Sequence, residues 1–564
     1  MEVSPKRVRL FVLLCISPLI LLFLIPQTGW IIRRQIPIQW YLPLPTADWL
    51  RSAGIPNLFP PGPQKAREVL QYEAARHPRD FRRHLTAALD SRGGCKDRFS
   101  AVATQLLPLF PREPAVYGEL LRYSAGDQVR LYRSEENTYL GLTDKLNGDT
   151  PDPALLRRFE QWASAGEKLD PDNAFFPYMQ ALALFDMQRD PEALSAICRA
   201  GAAHRWDDYV SFETQSINSA RDAYLDHEMA LERASREAAV LLPQYAAVRS
   251  VARQVCALAI QLEKSGKKAD ALRLRHALIR CGGLMRSAPT CLVTNLVGIV
   301  VSSVGCSLPE GKTHQYSPQW SNRQNNEARL HQYQDYCARI GHPEEGAYAA
   351  DELQKGWAIQ DALRGSGEGD WSEESDTFPI RDMAVLAGLW ILGVALLGNA
   401  LYVVGLFLLG QILRRRNQHT VILVTAWSLA MAWLTWMCLV RFQSVADFRG
   451  WVWFWWDYVI KSSPLPNLSS IPVAVIVIFL SAIVPLVVLL ARLIRFQYSR
   501  VWQQPYRRGS LLILAAVLIG LYSATVIGTA FTESRMFTRV DSMTHDEGRV
   551  AMQRAGVAWP GPPG

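Results

Sequence analysis

Hydrophobic residues are spread unevenly along this chain of 564 residues. One run occupies residues 10–25, a mostly polar stretch fills 30–380, and four further runs follow at 383–413, 420–440, 471–490 and 510–531. None of those four contains an acidic or basic side chain. A helix of about 20 apolar residues crosses a hydrocarbon core of about 30 Å, so each of the four is long enough to span a bilayer. The layout predicts a mainly α-helical membrane protein with five transmembrane helices. Its expected parts are a signal anchor at 1–29, a helical domain outside the membrane at 30–363 and a flexible acidic linker at 364–380. A four-helix membrane block at 381–532 and a tail at 533–564 complete it.

Basic residues set the expected orientation, because Lys and Arg near span ends stay on the cytoplasmic side. Lys6, Arg7 and Arg9 precede the first run, and no small-residue cleavage site follows it, so the segment reads as an uncleaved anchor with the N-terminus inside. Alternation then puts Arg414, Arg415 and Arg416 inside, together with Arg492, Arg495, Arg500, Arg507 and Arg508. The large domain, the loop 441–470 and the C-terminus fall outside, giving a multi-pass protein of the cell membrane.

One further stretch, 287–309, is also uncharged. It is rich in Ser, Thr, Gly and Asn, and a crossing there would place the Arg414 cluster outside. It therefore reads as a buried helix of the outer domain. The net charge of +8 divides into +2 for residues 1–29, −3 for 30–380 and +9 for 381–564. The basicity thus belongs to the membrane loops, where it faces anionic lipid, and it gives no support for nucleic-acid binding.

Within 30–380, alanine-rich helical periodicity dominates. The clearest pair of helices runs from Leu169-Asp170-Pro171-Asp172-Asn173 through Ala181, Ala183 and Leu184, turns at Arg189-Asp190-Pro191, and continues through Ala193, Ile197 and Ala200. Pro243 and Tyr245 open a second pair, with Ala259, a turn at Ser265-Gly266-Lys267-Lys268, and Ala271. Ala181 to Ala193 and Ala259 to Ala271 share the same spacing, and a weaker copy lies at 66–89. These segments, 66–89, 169–202 and 243–280, resemble degenerate tetratricopeptide repeats, in which small residues let two antiparallel helices approach closely. Arg275 departs from that pattern, since the family places an apolar residue there. The resemblance implies a concave surface that binds a protein partner; a generic helical bundle is the alternative.

Seven of the nine cysteines lie in the outer domain, where disulfides are permitted. Cys281 with Cys291 and Cys306 with Cys337 are the nearest neighbours in sequence, and buried thiols are the alternative. His331, Asp335 and Cys337 in HQYQDYC, and Asp144, Asn147, Asp149 and Asp152 in TDKLNGDTPD, invite nucleophile and calcium readings. Both fail on spacing: catalytic partners are usually distant in sequence, and the second run lacks the EF-hand glutamate. No HExxH, Walker, GxSxG or dinucleotide fingerprint is present. No catalytic, cofactor-binding or metal-binding residue is therefore assigned, and the cofactor expectation is none.

In the last run, Ala516, Gly520, Ala524 and Gly528 recur every fourth residue, a stripe on which another helix packs closely in lipid, within the chain or in an oligomer. Trp451, Trp453, Trp455, Trp456 and Tyr458 crowd the loop 441–470 and read as an interfacial anchor. The function expected first is a membrane-bound protein-binding scaffold or complex-assembly subunit. The alternatives are a permease-like subunit of an export system, by layout alone, and an envelope- or lipid-modifying enzyme using Asp447, Arg449 or Asp457.

Overall fold

A computed structural model describes residues 17–35, 66–90, 95–125, 128, 129, 131, 152–225, 227–230, 233, 236, 242–288, 291–308, 322–364, scattered positions in 386–400, and 506–557. The described residues are mainly helical and contain no strand, only two isolated bridges. They divide into two bodies. The first takes its residues from 1–60, 226–236 and 378–540, and the second from 61–225, 237–377 and 541–564. The chain therefore leaves the second body after Leu225, contributes a short strap to the first, and returns.

Residues 17–24 are helical, and the helix breaks at Ile25. Pro26 opens the next helix, α1 (Pro26–Gln35), as suits a residue without an N–H to satisfy. Across the break, the Thr28 hydroxyl donates to the Leu22 carbonyl at 2.5 Å.

The second body begins with α2 (Ala66–Arg76) and α3 (Phe81–Leu89). Asp80 caps α3 by accepting from the Arg83 N–H at 3.3 Å. A short helix α4 (Cys95–Ala101) widens into a π turn at Val102–Leu106, closed by Leu107 N–H to the Val102 carbonyl at 2.9 Å. Next come α5 (Pro114–Ser124) and α6 (Pro153–Leu169). Asp152 caps α6 by accepting from the Ala154 N–H at 2.9 Å. Helices α7 (Phe175–Asp186) and α8 (Asp190–Ala202) form the first clear hairpin, followed by α9 (Val210–Tyr224). Helices α10 (Gln244–Lys264) and α11 (Lys268–Arg286) form the second. Then follow α12 (Leu292–Gly305), α13 (Asn322–Arg339) and α14 (Pro343–Arg364).

Sequence dictates how these pack. Helix α7 is apolar around most of its circumference, as expected of a helix covered on several sides, and it packs against α6, α8 and α10. Its entry is fixed by Asn173, fully buried in the LDPDN turn, which accepts from Phe175 N–H at 3.1 Å and Asp207 N–H at 2.9 Å. The same amide donates to the Asp207 carbonyl at 2.8 Å. Ala181, Ala193, Ala259 and Ala271 are all fully buried.

Helix α11 lies between α8 and α12, and glycines set the approach on both sides. A Cβ on Gly201 of α8 would sit 2.7 Å from the Ala277 Cα, and one on Gly298 of α12 would sit 2.5 Å from the Gly282 carbonyl. Arginines of α11 tie its neighbours together. Buried Arg275 donates to Glu263 of α10 at 2.7 Å, and to the carbonyls of Gly305 and Ser307, at 2.7 and 2.5 Å, just where α12 ends. Arg286 reaches Glu352 of α14 at 2.8 Å. The arginine that departs from the repeat pattern is thus the clasp joining three elements, and it satisfies carbonyls that a helix terminus leaves over.

The uncharged stretch 287–309 yields only the 14 residues of α12, packed against α11, α10 and α14. Its Thr294, Asn295, Ser302 and Ser303 are buried. Asn295 donates to the Arg286 carbonyl at 2.7 Å and the Ser302 hydroxyl to that of Ile279 at 3.1 Å.

The last helix, α15 (Tyr506–Arg554), has 49 residues, about 74 Å at 1.5 Å per residue. Its segment Ala516–Thr538, 23 residues with mean hydropathy 1.4, is long and apolar enough to cross a membrane. Ile519, Tyr522, Val526, Thr529, Glu533 and Met536 form its buried face, at the three- and four-residue spacing of a helix stripe. With Leu22, Trp30, Ile31, Met229, Leu386 and Trp390, the Tyr522, Val526 and Met536 side chains build the core of the first body. Helix α15 also runs on through the region read as a tail, and in the second body its Met552 is buried beside Ile359. The runs at 420–440 and 471–490 and the linker at 365–380 lie outside the described residues.

Candidate functional site

The most unusual chemistry of the first body surrounds Glu533, near the end of the apolar segment of α15. Its carboxylate is 1% exposed. The Trp390 indole N–H donates to one oxygen at 2.7 Å and the Ala230 backbone N–H to the other at 2.8 Å. Three distant stretches of chain therefore meet on one carboxylate. Ionised carboxylates accept such bonds more strongly than neutral oxygens do.

The strap 226–236 brings further polar groups to this place. The His227 ring lies edge-on to Trp30 at 4.6 Å and 5.0 Å from the Phe537 ring, while the Arg233 guanidinium sits 4.3 Å over Phe537. Arg236 donates to Glu228 at 2.7 Å. Trp30 and Trp390 are 5.6 Å apart. Chemically, this arrangement is a clip: a buried acceptor and an aromatic wall that fix a short polar segment beside the end of a membrane-length helix.

The second body holds a buried ionic network. Glu213 of α9 is paired with Arg98 at 2.6 Å and with Arg122, and it accepts from the Tyr123 hydroxyl at 2.7 Å. Glu119, fully buried, meets Arg122 at 3.2 Å, yet neither of its oxygens accepts a hydrogen bond among the described residues. The two carboxyls diverge for a physical reason. Burial pushes both up; for Glu213 the Arg122 and Arg98 guanidiniums outweigh it and hold the group below its ordinary range. For Glu119 burial wins, and its carboxyl lies well above that range. Divergent carboxyls are what acid–base catalysis uses, but Glu119, Arg122 and Glu213 are sealed from solvent, so the network ties α4, α5 and α9 together rather than meeting a substrate.

The residues singled out from sequence fare variously. On α15, Gly520 and Ala524 are exposed, and a Cβ on Gly520 or Gly528 would meet no atom within 4 Å. The small-residue stripe therefore lies away from the face that packs in its own body. None of the seven described cysteines forms a disulfide, so the pairings Cys281 with Cys291 and Cys306 with Cys337 are not made. Cys281, Cys306 and Cys337 are instead buried in apolar clusters. Burial pushes the thiols of Cys281 and Cys306 up to about 12 and that of Cys337 to about 11, leaving them protonated and poorly nucleophilic. His331 and Asp335 are exposed on α13 while Cys337 points into the core, so the triplet does not converge. Asp152 is a helix cap, and Asp144, Asn147 and Asp149 lie outside the described residues, as do Trp451, Trp453, Trp455, Trp456, Tyr458, Asp447, Arg449 and Asp457.

Sequence reading missed Glu533, because it placed the end of the span at Phe531, two residues short. The signal was available in Glu533 and Arg535, which follow the apolar run directly. The partnership with Trp390 and the strap had no local signal. No protein-family model matches this chain, no curated protein matches it, and no solved structure matches it.

Proposed function

We propose that this protein is a multi-pass membrane protein whose helical body is an outward-facing scaffold for a protein partner. The observation that carries this reading is the succession of packed helix hairpins, α7 with α8 and α10 with α11, on a chain that also contains a membrane-length helix. Hairpins stacked side by side expose long surfaces suited to binding, and the small residues at their contacts support a tetratricopeptide-like origin. The membrane assignment is supported by the apolar exposed face of the first body: Leu21, Leu24, Leu521, Ile527 and Phe531 all exceed half exposure, a face unsuited to water.

In this reading the four terminal runs form one membrane block, the N-terminus is cytoplasmic, and the stripe from Ala516 to Gly528 offers a packing face to another helix. The clip at Glu533 fixes where the strap from the helical body meets that block. Chemical crosslinking with mass spectrometry in intact membranes tests the scaffold role: one reproducible partner crosslinked to the second body is expected, and none would overturn it. Thiol labelling at positions 350, 417, 455, 503 and 560 tests the orientation, with cytoplasmic labelling at 350 the result that reverses it.

A further inference from the structure

Helices α10 and α12 run side by side in the same direction. The Tyr245 hydroxyl of α10 bonds to that of Thr294 near the start of α12, and the Cys256 thiol donates to the Ser307 carbonyl at 3.5 Å just past its end. Arg249 and Arg253 follow Tyr245 at four-residue steps, so they share the flank of α10 that borders α12. On α12, Gly298 and Ser302 pack on α11 while Val297 and Val301 enter the main core. Another stripe at helical spacing, Val293, Leu296, Val300 and Val304, is left uncovered. Val293 is 43% and Val300 42% exposed, and the other two are half-buried. Helix α13 borders the end of this stripe, where Arg329 donates to the Ser303 hydroxyl at 3.2 Å.

The charges around the stripe are of one sign. Between Gln244 and Leu262, α10 carries Arg249 and Arg253 and no acidic residue, and α12 carries no charge. Among the described residues none of Arg249, Arg253 and Arg329 pairs with a carboxylate, whereas Glu263 and Glu327 are engaged by Arg275 and Arg323. Burial lowers the pKa of half-buried Arg329, and no acid offsets that. An incoming carboxylate would.

Resting on the scaffold reading, we propose that this groove binds an acidic amphipathic helix of a partner protein. The apolar face of that helix lies on the valine stripe, and its carboxylates take the three guanidiniums. From Val293 to Val304 the stripe spans about 16 Å at 1.5 Å per residue, about three turns of a docked helix. A flat bilayer fits less well, because the partial exposure of the valines places the stripe below its flanks.

Fluorescence anisotropy on the full-length protein in neutral detergent micelles tests it. The probe is a labelled peptide of about 12 residues with leucine on one face and glutamate on the other. Saturable binding is expected, weakened about tenfold or more when Arg249→Glu and Arg253→Glu are combined. A peptide of leucine and lysine should bind the native chain weakly and gain affinity for that charge-reversed variant. Neither arginine has an ion-pair partner to lose, so the variant keeps the fold, and Val300→Asp gives a separate loss through the stripe itself. Equal affinity of the acidic peptide for native and charge-reversed chains, or of acidic and basic peptides for the native chain, overturns the proposal. Full displacement of the acidic peptide by phosphatidylglycerol assigns the face to anionic lipid and overturns it as well. Failure here alongside a partner crosslinked to the second body strikes this groove alone, whereas absence of any crosslinked partner strikes the scaffold role.

Discussion

Helix α12 and the apolar segment of α15 are both rich in Val, Ile, Leu and Gly, but they meet different surroundings. In α12 the polar side chains turn inward: Thr294, Asn295, Ser302 and Ser303 are buried, and Asn295 and Ser302 bond to carbonyls of and just after α11. In α15 the hydroxyls of Thr525 and Thr529 are also buried but donate, at 2.8 Å, to carbonyls of their own helix, while Leu521, Ile527 and Phe531 face outward, Phe531 being 73% exposed. Protein surroundings offer carbonyls to pair with; hydrocarbon offers none. Whether the hydroxyls and amides reach a neighbouring helix or only their own therefore distinguishes these two helices better than mean apolarity does.

The sharpest way to break this contrast is to remove what holds α12 in protein surroundings. Arg275→Leu strips the clasp from the end of α12 and leaves half-buried Glu263 without its guanidinium. A loss of about 3–5 kcal/mol is expected on breaking such a pair, measured by denaturant unfolding of the detergent-solubilised chain. Next comes the same change made on each helix. Leu521→Arg places a charge on the exposed face of α15, and an insertion penalty of about 2.5–3.5 kcal/mol is expected if that face meets hydrocarbon. Val300→Arg, on the partly exposed side of α12, is expected to change stability by no more than about 0.5 kcal/mol. Membrane extraction and unfolding of the two variants read the difference, and equal behaviour would erase the distinction.

Glycines give a third comparison. Gly298→Ala forces a methyl against the Gly282 carbonyl, and overpacking of this kind costs about 1–3 kcal/mol. Gly520→Ala meets open space, so unfolding of the isolated protein should hardly change; a loss of assembly in membranes would show that another helix uses the stripe.

The smallest effect concerns pH, to which the ionised network makes the second body sensitive. Glu213 lies below its unfolded pKa of about 4.3, so its contribution is present above that pH and lost as pH falls through the lower folded value. Glu119 lies above, so stability declines as pH rises from about 4.3 toward its folded value. Glu119→Gln should remove that decline, leaving the variant more stable than the native chain near neutral pH. Unfolding of the variant and the native chain across pH reads it.

These contrasts show which parts of the molecule local sequence reports. The Ser, Thr, Gly and Asn content of 287–309 already marks it as unsuited to lipid, and the alanine spacing marks both hairpins, because each signal lies within one or two helices. Arg275 looks like an irregularity in sequence, since its partners Glu263, Gly305 and Ser307 are assembled only by the turn between α10 and α11 and the end of α12. The clip at Glu533 was illegible for the same reason at longer range: Ala230, Trp390 and Glu533 meet only after the whole chain has folded. The end of α15 read as a tail because charged residues such as Glu533, Arg535, Arg539, Asp541, Asp546 and Glu547 crowd it.

The strap has a practical consequence for anyone dividing this protein. Neither body is a continuous piece of sequence, so no single cut yields one of them intact. A fragment running from residue 61 to 377 would keep the strap while discarding Trp30, Trp390, Glu533 and Phe537, exposing Met229 and Ala230. It would also lose Met552 from beside Ile359. Such a fragment would be expected to aggregate through these uncovered patches, whereas replacing the strap by a short polar loop and appending residues 541–557 restores a self-contained unit.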